Sequence, residues 1–145
     1  MSGLDQRTKV IGRMFENWSP KLWQELKPAN SNGRVGTRSL SECDLARIWE
    51  VRLKPGQRLS FHRHVLNYFW TVLNGGIAHS RTADGSTQEI EYYRGDTKNL
   101  RYYRGEGLTH DLENVGTTEL LFITVEFLDS ENSPPPLPLV KVDIA

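Results

Sequence analysis

The sequence predicts an all-β single domain, a barrel or sandwich of short strands with one short helix ahead of it. Three observations carry this reading. From about Thr37 onward, apolar and polar residues alternate in short runs. Turn residues separate the runs at close spacing, most clearly Lys54-Pro55-Gly56, Asn74-Gly75-Gly76 and the hairpin signal Asp84-Gly85. The chain has 145 residues, which suits one domain and buries about two-thirds of its unfolded surface, enough for one core without staples.

The first ten residues are polar and are expected to be loose. Ser19-Pro20 reads as an N-cap followed by proline at the first helical position, opening a helix with Leu22, Trp23 and Leu26 on one side. Pro28 and the Asn30-Ser31-Asn32-Gly33 cluster end it. In the first strand, residues 45–53, Leu45, Arg47, Trp49, Val51 and Leu53 alternate with Ala46, Ile48, Glu50 and Arg52. Further strands are expected over 59–64, 68–73, 77–82, 87–93, 97–103, 108–112 and 119–128. Tyr92-Tyr93-Arg94-Gly95 recurs as Tyr102-Tyr103-Arg104-Gly105, a unit too short for a solenoid and read as two strand ends. Pro134-Pro135-Pro136-Leu137-Pro138 is read as a polyproline strap that carries residues 139–144 back onto the barrel or onto a partner, in preference to an SH3-type ligand.

Composition excludes several classes of function. Lys and Arg number 18 and so do Asp and Glu, so the chain lacks the basic footprint that nucleic acid requires. The longest apolar stretch, residues 120–125 with Thr124 within it, is far too short to span a bilayer. Residues 1–15 hold no apolar core of a signal peptide, so a cytoplasmic location is expected. Cys43 is the single cysteine, which rules out an internal disulfide. No phosphate-cradling glycine loop or nucleophile elbow is present.

Of the four histidines, His62 and His64 stand two apart in an expected strand, so their side chains share one face. Two imidazoles on one face can supply adjacent metal ligands, and a third ligand must then come from elsewhere, with His110 and His79 the candidates. From Gly56 the chain reads glycine, five residues, His62, one residue, His64, three residues, Tyr68, six residues, Gly75. Later come Gly95-Asp96, then Gly107, two residues, His110, three residues, Asn114. These two stretches resemble the paired motifs of the cupin superfamily, over roughly residues 45–128.

The resemblance implies a single-domain cupin β-barrel, that is, a double-stranded β-helix or jelly roll. Its barrel core would cover about 37–128, with an N-terminal extension 1–36 and a proline-rich tail 129–145. His62, His64 and His110 match three of the family's four metal-binding positions. The fourth, a glutamate in the family, is Tyr68 here, or Phe69 after a one-residue shift. The proline of the second motif is replaced by Gly105, and nine residues separate Gly95 from Gly105, a longer gap than usual. The implied site is thus three histidines without a carboxylate, as in some cupins such as thiol dioxygenases and diketone-cleaving enzymes.

Three neutral imidazoles carry no formal charge, so one divalent ion among them keeps its full charge and attracts an anionic, chelating small-molecule substrate. Iron(II) is the first choice, because a redox-active ion with vacant positions serves substrate and O₂ together; nickel, manganese and zinc also fit imidazole ligands. A dioxygenase-type reaction is the leading expectation. A metal-assisted lyase or isomerase, and a cupin that only binds or senses a ligand, stay open beside it. A metal-free isomerase would leave the three matched histidines unexplained as a set.

Tyr68 has three readings: a hydrogen-bond donor, a metal ligand or base if its phenol were acidified from about 10, or a space-filling aromatic beside Phe69 and Trp70. His79 and Arg81 share strand parity with Ile77. If Ile77 faces inward, both line the barrel as catalytic groups that orient substrate, with Arg81 pairing a carboxylate. A homodimer is expected, as in cupin relatives, with 11–28 or 129–145 across the interface. Trp18, Trp23, Leu137 and Leu139 are large apolar groups outside the core strands, and such groups seek burial.

Overall fold

The computed structural model describes residues 3–138. Alternating sequence and frequent turns produce two five-stranded antiparallel sheets packed face to face. The elements run α1 (Gly3–Gln6), β1 (Thr8–Gly12), α2 (Pro20–Leu26), β2 (Arg38–Glu42), β3 (Ala46–Leu53), β4 (Arg58–His64), β5 (Tyr68–Asn74), β6 (Gly76–Arg81), β7 (Thr87–Tyr92), β8 (Thr97–Leu100), β9 (Leu108–Asn114) and β10 (Leu120–Phe127). One sheet has the order β1-β7-β6-β9-β4 and the other β2-β3-β10-β5-β8. No helix among the described residues is long and apolar enough to cross a membrane.

Between the sheets, Val51, Leu53, Leu59, Val72, Leu112, Leu120 and Phe122 form the core. Trp70, Tyr92 and Phe122 meet edge to face within it, with centroids 4.7–5.6 Å apart, the geometry that aromatic quadrupoles favour. A second cluster lies on the outer face of the first sheet, where Trp18, Ala29 and Phe61 pack with Phe15, Leu22 and Leu26. The expected helix is α2, capped by the Ser19 hydroxyl with Pro20 in its first turn. Trp18, expected to seek burial across an interface, finds it inside its own chain, with its indole N–H donating to Thr87 Oγ1 at 3.2 Å.

From Gly3 onward the N-terminal segment is ordered against the barrel. Strand β1 pairs with β7, and Arg7 forks onto both oxygens of Asp96 at 2.8 and 2.9 Å. Its guanidinium also lies 3.8 Å from the Tyr93 ring centroid. Period alone could not show this segment as a strand, because its core contact is one residue, Leu4. Strand β8 stops at Leu100, short of the expected 103, because Tyr102 and Tyr103 turn their N–H groups to the side chains of Asn67 and Glu106. Strand β2, absent from the sequence reading, is exposed along its whole length and so carries no burial period. The proline strap packs back on the barrel: Gly33 donates to the Pro136 carbonyl at 2.8 Å. A Cβ at Gly33 would lie 2.7 Å from the Pro135 carbonyl oxygen, which leaves room there for glycine only. Leu139 and the rest of the expected return, 139–144, lie outside the described residues.

Candidate metal centre

Strand β4 carries His62 and His64 on its inner face, and β9 carries His110. The register sets His62 opposite His110 and Leu59 opposite Leu112, so β4 holds one residue more than β9 between them. This bulge lets Leu59 and His62, which strict alternation would put on opposite faces, both point inward, while Phe61 turns out to Trp18. Candidate ligand atoms of His62, His64 and His110 then lie within 4.8 Å of one another. The three rings meet edge-on, with centroids 4.8–5.1 Å apart.

Hydrogen bonds assign two of the tautomers. His62 Nδ1 lies 2.8 Å from the Ser60 carbonyl, which only accepts, so that nitrogen carries the proton. The Ser80 hydroxyl donates to the Asp111 carbonyl at 2.8 Å and so accepts from His110 Nδ1 at 3.3 Å. In both rings the lone pair is therefore on Nε2. His64 Nδ1 is buried with no hydrogen-bond partner. Burial holds His62 down at about 4 and pushes His64 and His110 well below the usual imidazole range. All three are thus neutral at physiological pH, as metal ligands must be. The donor set, neutral and free of carboxylate, suits a single divalent ion of borderline softness. Its cavity has a volume of about 50 Å³, lined by the histidines, Tyr68 and apolar side chains such as Val51, Leu59 and Phe122.

No protein-family model and no curated protein matches the sequence. Among solved structures, a cupin domain from Bordetella pertussis Tohama I is similar at 26% identity and a TM-score of 0.53, over 62% of this chain and 88% of that one. A Klebsiella pneumoniae MGH 78578 protein with a double-stranded β-helix domain is similar at 18% identity and a TM-score of 0.51, over 78% of this chain and 90% of that one. The chain has the cupin fold, a double-stranded β-helix.

Within this fold, strand parity decides between Tyr68 and Phe69: Tyr68 faces inward and Phe69 packs outside on Phe127. The Tyr68 ring lies flat against His64, 4.1 Å between centroids and 8° between planes. Burial, with the neighbouring Tyr102 phenol, pushes its hydroxyl well above the ordinary value. Among the protein's own groups, the neutral phenol, able to donate, is the favoured form of Tyr68.

His79 and Arg81 do not line the barrel. Ala78 and Ser80 take the inward positions of β6, and Ile77 is exposed. The inward side of β6 is close-packed and takes small residues: Ala78 is fully buried in the core cluster that holds Ile90, Tyr92 and Phe122. His79 bonds Glu89 at 3.0 Å, and Arg81 reaches Asp111 and Glu113, each at 2.8 Å, on the outer face.

Two acids escaped the sequence reading. Asp111, fully buried, accepts from Arg58 Nε at 2.8 Å, Arg81 Nη1 at 2.8 Å and the Arg81 N–H at 2.7 Å. It thereby ties β4, β6 and β9 together directly behind His110. Arg58 also pairs with Glu25 of α2. Glu126 points into the barrel on the parity of Leu120, Phe122 and Thr124, and accepts from Trp49 Nε1 at 2.8 Å. An acid on the buried parity of an apolar strand is the signal that could have found it.

Burial pushes Glu126 up to about 7 from 4.5. Between those values the folded state holds the extra proton, so this group's contribution to stability falls as pH rises, by on the order of 3 kcal/mol in full. His62, lowered from 6.5 to about 4, acts in the opposite sense, adding stability as pH rises between those limits. Glu126→Gln keeps an acceptor for Trp49 and removes the first effect alone. Urea unfolding from pH 4.5 to 8 should show the stability of the variant relative to the native chain climbing by about that amount. A difference that stays flat with pH contradicts the assignment.

Proposed function

We propose that this cupin holds one divalent metal ion, iron(II) ahead of nickel, manganese or zinc, through His62, His64 and His110, and acts on a small anionic molecule by dioxygenase-type chemistry. The carrying observation is the ligand set: three buried or half-buried imidazoles, held neutral, with no carboxylate among them. Such an ion supplies Lewis acidity toward an anionic oxygen and, as iron, a redox couple for O₂. The chain's own residues supply the rest. The Ser60 carbonyl and the Ser80 hydroxyl fix the His62 and His110 rings. Val51, Leu59, Leu112 and Phe122 keep the cavity wall apolar and limit access of bulk water. Tyr68, neutral and against His64, donates a hydrogen bond to bound substrate. A cytoplasmic homodimer is the setting we propose.

Metal analysis of protein purified without a histidine tag, followed by O₂ uptake with β-diketones, thiols and aromatic acids, tests the reading. One redox-active ion per chain and uptake with one of these classes support it; a bound ion with no uptake across the panel overturns the oxygenase assignment. Tyr68→Phe should keep fold and metal and lower turnover by roughly 10²–10³, the usual cost of one well-placed donor. Unchanged turnover would reduce Tyr68 to a space-filling ring.

A further inference from the structure

An anionic substrate calls for a counter-charge, and Arg81, the candidate from strand parity, lies on the outer face paired with Asp111 and Glu113. The cavity at the histidines, about 50 Å³, has room for little more than an ion and a water or two. It adjoins a second chamber of about 240 Å³ that shares Tyr68, Trp70, Tyr92 and His110 with it. That volume falls below the roughly 300–1,000 Å³ of sites for drug-sized ligands, so its occupant is small. The chamber lies between the inner faces of β7 and β8, and Leu4, Asp5 and Thr8 of the N-terminal segment line its outer side. The Arg7–Asp96 fork holds that segment in place.

Lys98 is the one cationic side chain on the chamber's lining. It stands opposite Trp70 in the β5–β8 register, so the two side chains share the inner face of the edge strand. No carboxylate among the described residues pairs with it, and the nearest acid in sequence, Asp96, is held by Arg7. Asp5, the one acid on the lining, sits on the opposite wall in α1 and disfavours a second anion there.

We propose that Lys98 is the specificity-determining residue of this site and selects a small dianion, such as a short dicarboxylate. Its ammonium holds one carboxylate in the outer chamber while the other end of the molecule reaches the three-histidine centre. The inference rests on the reading of that centre as a metal site for an anionic substrate. It adds which end of the substrate is read, and by which residue.

Calorimetric titration of the zinc-loaded chain with malonate, succinate and glutarate, each beside its monoamide, tests the proposal without turnover. At least one dicarboxylate should bind about tenfold or more tightly than its monoamide, the range for one charge-assisted hydrogen bond. In Lys98→Met the two affinities should become equal, in Lys98→Arg part of the preference should return, and Lys98→Glu should reverse it. A preference that survives in Lys98→Met overturns the role of Lys98 while leaving the anion reading of the centre intact. Monoamides that bind as well as dicarboxylates in the native chain also overturn Lys98 alone. No binding by any of the six compounds, or no zinc taken up, removes the reading of the centre and this inference with it.

Discussion

Replacing any one of His62, His64 or His110 by alanine should reduce bound metal from one ion per chain to a trace. Two imidazoles, with no carboxylate grouped with them among the described residues, are too few to hold a borderline ion against water and buffer. The barrel should still form. The core of Leu53, Leu59, Val72, Leu112, Leu120 and Phe122 makes no use of the imidazoles, and the variant removes a desolvated ring whose charged form is already disfavoured. Metal content by elemental analysis and circular dichroism of the same samples provide the check. A second readout is thermal: an ion present at about a thousand times its dissociation constant stabilises the native chain by about 4 kcal/mol, and that increment should vanish in each variant. Full metal occupancy in any two of the three variants would sink the three-histidine assignment.

The next largest effect is expected from Asp111→Ala, a residue with no direct part in the site. Its carboxylate is fully buried and takes three donors, two guanidinium and one backbone. Removing one partner of a buried charge cluster costs about 3–5 kcal/mol, because the remaining charges stay desolvated and unpaired. Arg58 keeps Glu25 and Arg81 keeps Glu113, which places the loss near the lower end, about 3 kcal/mol. Loosening should spread to the site, since Ser80 holds His110 in place through the Asp111 carbonyl on the same strand. Weakened metal binding should therefore accompany the loss of stability. If the alanine variant fails to fold, Asp111→Asn keeps the size and two of the contacts, and urea unfolding of it should still show a loss above 1 kcal/mol. A smaller loss in the asparagine variant, with metal binding unchanged, would show that the cluster is not what positions His110.

The all-β class, the capped α2 helix and the Asp84-Gly85 hairpin were legible because each rests on local chemistry: period two, a side-chain cap, a residue free to turn. The pairing of His62 with His64 was legible for the same reason, and His110 was implied by the resemblance of its surroundings to the second cupin motif. Departures came where the outcome depended on partners far away in sequence. The β4 bulge, which admits Leu59 and His62 to the same interior, exists only against the register of β9. Ile77 and Ala78 fit either face by local preference; in the folded chain Ala78 and Ser80 take the buried side of β6, which leaves Arg81 on the outer face.

By itself the sequence determined strands β3–β10 and, through the resemblance of its motifs, which three histidines could share a metal. Tertiary structure alone decided which parity of each strand faces inward, that Asp111 and Glu126 are buried, and that Lys98 lies on the lining of the outer chamber. Alternation shows that a strand has two faces, but only packing volume and the pairing of buried charges choose between them.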